Sequence, residues 1–129
     1  MKRVIVAAGV IVCDDKVFLA LRKPDQHQGN LWEFPGGKCE ADELPENALS
    51  RELQEECGIK VTNCSLLETI SHDYADKHVA LHFFKVTGFE GDPVGKEGQS
   101  VAWVSFSELG DYQFPEANQV IVDKLLQQA

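Results

Sequence analysis

The sequence predicts an α/β protein of one domain, residues 1–129. Three observations carry that prediction. Strand-like apolar runs open the chain and recur beyond residue 60, a helix is punctuated between them by Pro45 and Gly58, and the C-terminal segment has an amphipathic helical pattern. With 129 residues, 43% of them hydrophobic, the chain suits one core burying roughly two thirds of its unfolded surface.

Taken in order, 3–13 and 16–22 read as strands joined by a tight Asp14-Asp15 turn. The stretch 23–33 reads as a polar loop. A helix of about three turns fits between Pro45, suited to a first turn that has no use for its missing N–H, and Gly58, suited to the positive φ just past a helix end. Strand-like runs follow at 60–72, 78–89 and 100–104, the middle one alternating through Val79, Leu81 and Phe83. Ser105 or Ser107 starts a short helical turn, and 116–128 forms a final helix on Val120, Val122, Leu125 and Leu126. There are no repeats or low-complexity tracts.

The central helix carries the chemistry. Glu52, Glu55 and Glu56 stand at i, i+3 and i+4, which places three carboxylates on one face, beside an apolar stripe of Leu49, Leu53 and Cys57. One face docks on the core while the other points into a cleft. Arg51 lies four residues before Glu55 and can steer its carboxylate. Like charges this close raise one another's proton affinity, and a cation preferring oxygen ligands, Mg²⁺ or Mn²⁺, turns that repulsion into binding energy. A lone ELQEE run also suits an ordinary solvated helix, so the surrounding residues decide.

Gly37 is followed after five residues by Glu43, after seven more by Arg51-Glu52-Leu53, then by Glu55-Glu56, one residue, Gly58 and Ile59. This resembles the Nudix box at every defining position. The resemblance covers nearly the whole chain and implies the Nudix fold, a mixed β-sheet sandwiched between α-helices, in a metal-dependent hydrolase of diphosphate linkages. It implies that Glu52, Glu55, Glu56 and the Gly37 carbonyl bind metal, that Arg51 orients the glutamates with Glu43 in its network, and that Glu52 is the first choice for general base. Glu97, in the later KEGQ stretch, is a second candidate for ligand or base. Such residue types suit the reaction, because polyphosphate is highly charged and water is a poor nucleophile.

Outside the box, WEFPGGK, YADKH, KEGQ and FPEANQ resemble the MutT subgroup, whose members hydrolyse 8-oxo-dGTP to the monophosphate and pyrophosphate. The resemblance implies that Asn118 reads the purine edge, since its amide both donates and accepts, matching O6 and the N7–H of 8-oxoguanine. Phe34 and Tyr74 then line the base site, and Arg22 and His27 reach the sugar or phosphates. Two structural readings stand beside these, with Phe34 packing the core and Asn118 capping the last helix. Lys77 and Trp32 depart from the subgroup pattern. LWEF also resembles Nudix enzymes acting on CTP and modified pyrimidine nucleotides, and a nucleotide sensor without turnover is the alternative of another class.

Composition limits the partners. The net charge of −9, from 12 basic and 21 acidic residues with no basic stripe, disfavours polymeric DNA or RNA and leaves a small nucleoside triphosphate compatible. Cys13, Cys39, Cys57 and Cys64 form no CxxC pair or zinc spacing and read as reduced thiols. The opening basic-apolar run imitates a signal peptide, but its β-branched residues favour a buried strand, and no run reaches membrane-spanning length. The expectation is a cytoplasmic monomer.

Overall fold

The computed structural model describes residues 2–26 and 29–129. Among the described residues, seven strands and two α-helices follow one another as β1 (Lys2–Cys13), β2 (Lys16–Leu21), β3 (Trp32–Glu33), β4 (Gly36–Lys38), α1 (Pro45–Cys57), β5 (Lys60–Asp73), β6 (Lys77–Glu90), β7 (Val101–Ser105) and α2 (Gln119–Gln127). The mixed sheet is built around β1. This strand pairs in parallel with β6 over ten residues, and antiparallel with β4 at Val6–Ala8 and with β2 at Val12–Cys13. The remaining strands add antiparallel, β3 and β7 on β2 and β5 on β6.

Period-2 alternation divides the core between the two faces of the sheet. Ala7, Ile11, Phe18, Phe84 and Val86 pack against Ala48, Leu49, Leu53 and Cys57 of α1. Ala8, Val10, Leu19 and Phe83 pack on the other face against Ile121, Val122 and Leu125 of α2. The sandwich implied by the sequence is therefore present.

Local signals account for most boundaries. Asp14 and Asp15 both have positive φ, 50° and 62°, the sign a two-residue hairpin turn of primed type requires. Proline occupies the first turn of α1, and Gly58 ends it with φ 72°, its N–H bonded to the Gln54 carbonyl. Three expectations need correction. The loop expected over 23–33 ends in β3, where Ala20 and Leu21 pair with Glu33 and Trp32. The last helix begins as a short 3-10 turn over Glu116–Asn118, which leaves nine residues for α2. Its buried face is Ile121, Val122 and Leu125, while Val120 is 45% exposed.

Candidate active site

Phe34 and Pro35 connect β3, held on β2, to β4, held on β1. Around this junction a cleft of about 370 Å³ opens, lined among others by Arg22, Phe34, Gly37, Glu56, Tyr74 and Asn118. Residues separated by up to 96 positions in sequence thus share one space, and all six are residues the sequence pointed to. A smaller pocket of about 80 Å³ adjoins it, contains Glu97 and Gln99, and shares Glu33, Glu56 and Gln26 with the first. His27 lies outside the described residues.

The acidic helix face is present, but its carboxylates do not converge. Arg51 holds Glu43 through two bonds, Nε to Oε2 at 3.0 Å and Nη2 to Oε1 at 2.9 Å. Its Nη1 donates to Glu52 at 2.9 Å and lies 3.5 Å from the exposed Glu55 carboxylate. Two of the three like charges therefore turn toward one guanidinium, the planar donor fork suited to carboxylates. Among the described residues no three acidic, cysteine or histidine side chains are gathered around a common ion position. Hydrogen bonding to Arg51, then to the Glu40 N–H, lowers the Glu43 carboxyl to a pKa of about 2.

Glu56 is the exception, turned inward. Its Oε2 is buried and lacks a hydrogen-bond partner. Burial, followed by the negative charges of Glu52, Glu33 and Glu97, raises its pKa to about 8. A buried carboxylate oxygen without a partner is costly unless protonated or paired with a cation. Gly37 supplies the other half of the cradle. A Cβ there would sit 2.5 Å from Glu52 Oε2, so only glycine lets the strand and this carboxylate approach. An orphaned carboxylate oxygen among the negative charges of Glu52, Glu33 and Glu97 suits a hard divalent cation.

The rest of the cleft has a different character. Phe34 is 3% exposed, meets Phe83 edge-to-face at 6.1 Å and stacks with Phe114 at 5.8 Å, so it serves the core and the cleft together. Tyr74 lies on the turn between β5 and β6, its ring 4.7 Å from that of His72 and its N–H bonded to the Lys77 carbonyl. The Lys77 ammonium is 5.5 Å from the Tyr74 ring centre and also faces the cleft. Asn118 stands at the start of α2, yet its side chain makes no capping bond. It lines the cleft.

Glu33 is a site residue that sequence reasoning missed. It accepts a 2.6 Å bond from Arg22 Nη1, borders both pockets, and has its pKa raised by burial against the lowering effect of Arg22. The available signal was an acid between Trp32 and Phe34, where a strand residue turned from solvent needs a cationic partner.

Residues 7–124 match the family model for the NUDIX domain. The chain belongs to the Nudix family. It is 43% identical to the 8-oxo-dGTP diphosphatase of Escherichia coli (strain K12), a match covering 97% of this chain and 98% of the relative. It is 36% identical to the CTP pyrophosphohydrolase of the same organism, covering 92% and 87% of the two chains. A solved structure of MutT, from work on the Aliivibrio salmonicida and Vibrio cholerae proteins, superposes with a TM-score of 0.88 at 38% identity and covers 99% of this chain and 100% of that one. The chain is therefore a Nudix hydrolase, an enzyme acting on phosphorus anhydrides, and hydrolases of this family depend on divalent metal. No described helix is long and apolar enough to cross a membrane.

Proposed function

We propose that residues 1–129 act as one catalytic domain that hydrolyses 8-oxo-dGTP to 8-oxo-dGMP and pyrophosphate, clearing an oxidised precursor from the nucleotide pool before it is copied into DNA. The observation supporting this reading is the shared cleft, whose lining combines Glu56 and Gly37 with Phe34, Tyr74 and Asn118. The 8-oxo-dGTP diphosphatase relative, matched over nearly its whole length, supports it as well.

Glu52, Glu55, Glu56, Glu97 and the Gly37 carbonyl are the metal-binding groups, with Mg²⁺ the physiological ion and Mn²⁺ a substitute. Divalent cations held there would neutralise the triphosphate and lower the pKa of water. The chain's own residues do the rest. Arg51 holds Glu52 in place, and Glu52 accepts the proton of the attacking water, with Glu97 the second candidate for that role. The new bond forms between water oxygen and the β-phosphorus, and the bond from the β-phosphorus to the bridging oxygen breaks. The nucleoside monophosphate leaves with the bridge.

Phe34 and Tyr74 flank the base, Arg22 and His27 reach the sugar or phosphates, and Asn118 accepts from N7–H while donating to O6. Guanine itself has an acceptor at N7, which leaves the Asn118 carbonyl unmatched, so the oxidised base is preferred. The protein works as a cytoplasmic monomer on free nucleotides. CTP hydrolysis is the second reading, favoured by the 36% identical CTP pyrophosphohydrolase. Hydrolysis of 8-oxo-dGTP in ¹⁸O-labelled water tests the chemistry. The label is expected in pyrophosphate, whereas label in the monophosphate, or inorganic phosphate as the primary product, refutes attack at the β-phosphorus.

A further inference from the structure

The chain from 91 to 100, between β6 and β7, contains no helix or strand, yet it delivers Glu97 to the pocket it shares with Glu56. Its attachment to the rest of the molecule is specific. The Val94 N–H donates to the Cys57 carbonyl at 3.1 Å and the Lys96 N–H to the Glu56 carbonyl at 3.0 Å, so the segment hangs on the last turn of α1. At its far end, the Leu21 N–H donates to the Ser100 carbonyl at 2.9 Å. Between these anchors the backbone turns through Gly98, with φ 83° and a 3.0 Å bond from its N–H to the Gly95 carbonyl. Glu97 occupies this turn and is exposed, a position where ordering an unrestrained residue costs backbone entropy.

One side chain closes the gap. Gln99 Nε2 donates to the Glu56 carbonyl at 3.2 Å, and Gln99 Oε1 accepts from the Glu97 N–H at 2.9 Å. Both ends of a single amide are used, one on each acid's backbone. We propose that Gln99 is a positioning residue, its amide clamping Glu97 to the last turn of α1 so that the Glu97 carboxylate is held beside Glu56. The inference deepens the reading of Glu97 as part of the catalytic centre and rests on it. Glu97 and Glu56 line the same small pocket. Glutamate at 99 would keep an acceptor for the Glu97 N–H but set a carboxylate against the Glu56 carbonyl. Asparagine is one methylene shorter than the span, and leucine removes both bonds.

The test uses the full chain as wild type, Gln99→Leu, Glu97→Gln and the double variant. Turnover of 8-oxo-dGTP is measured together with Mn²⁺ binding in the absence of nucleotide, followed through the electron paramagnetic resonance signal of free Mn²⁺. Gln99→Leu is expected to lower kcat by about tenfold or more with KM within about threefold, and to weaken Mn²⁺ binding, because a misplaced group is lost from the chemical step more than from substrate capture. Neither loss should grow when Gln99→Leu is added to Glu97→Gln, the signature of a residue acting through another. Additive losses in the double variant overturn the proposal, as does a Gln99→Leu protein with wild-type kcat and Mn²⁺ affinity beside an impaired Glu97→Gln. A fully active Glu97→Gln protein removes Glu97 from the centre, and the role of Gln99 falls with it.

Discussion

Lowering the pH from 8 to 6 should weaken metal binding by this protein about fiftyfold, with Glu56 as the cause. Its carboxyl titrates near pH 8 instead of 4.5, chiefly because it is buried and then because Glu52, Glu33 and Glu97 surround it with negative charge. Arg22 is committed to Glu33 at 2.6 Å, and Arg51 to Glu43 and Glu52 at 2.9 Å, so the nearby guanidiniums are already engaged by other acids. At roughly 1.4 kcal/mol per pH unit, the displacement from 4.5 to about 8 is worth on the order of 5 kcal/mol in favour of the protonated acid. A divalent ion must displace that proton, so below pH 8 its apparent affinity falls by up to about tenfold per pH unit and close to one proton is released per ion bound.

The stability of the metal-free protein follows from the same shift. The folded state binds the Glu56 proton more tightly than the unfolded chain, so this contribution is fully present below pH 4.5 and is lost as pH rises through about 8. Mn²⁺ titration calorimetry at pH 6, 7 and 8, in two buffers of different ionisation heat, measures affinity and proton release together. Affinity independent of pH across this range, or release below about 0.2 proton at pH 6.5, would refute the assignment.

Three substitutions probe other parts of the account. Glu52→Gln keeps the side chain's size but removes its charge, and should lower kcat at least about a hundredfold in steady-state assays; full activity would move the role of base or ligand elsewhere. Asn118→Ala should reduce the preference for 8-oxo-dGTP over dGTP by about tenfold or more, leaving slow hydrolysis of other nucleotides, and an unchanged ratio would return Asn118 to a structural role. Leu53→Ala, at a fully buried position of α1, should destabilise the protein by about 2–5 kcal/mol in denaturant unfolding, and a loss below about 1 kcal/mol would contradict the packing of α1 on β1.

Local signals and long-range pairing explain which parts of the molecule were legible in the sequence. Helix α1 was readable because Pro45, Gly58 and the Leu49, Leu53, Cys57 stripe are each within one or two turns of what they specify. The hairpin of β1 and β2 was readable from Asp14-Asp15, which tolerate positive φ in a tight turn. Strands β3 and β4 have two and three residues, too few to show alternation, and exist through pairing with β2 and β1. The parallel ladder of β1 with β6 joins residues some 75 positions apart, Lys2 with Lys77 and Arg3 with His78 among them, and no local pattern encodes it.

The candidate site divides in the same way. The Nudix box specified Arg51 with Glu52 and Glu55, because the helical repeat fixes their relative positions, and it specified Glu43, which precedes the helix. That one oxygen of Glu56 is buried without a partner, while Arg51 draws Glu52 and Glu55 to itself, depends on competition between charges that spacing does not rank. Glu33 was hidden in an aromatic run, and its role emerged only when β3 carried it to Arg22 and Glu56.

The most direct test of the central claim is kcat/KM with Mg²⁺ for 8-oxo-dGTP, dGTP, CTP and 5-methyl-dCTP, measured side by side. A cleft that sets Asn118 against a purine edge predicts a preference for 8-oxo-dGTP over dGTP of at least about a hundredfold, the discrimination expected when a buried polar group is left unmatched. Equal rates for 8-oxo-dGTP and dGTP, or a preference for the cytosine nucleotides, would contradict it.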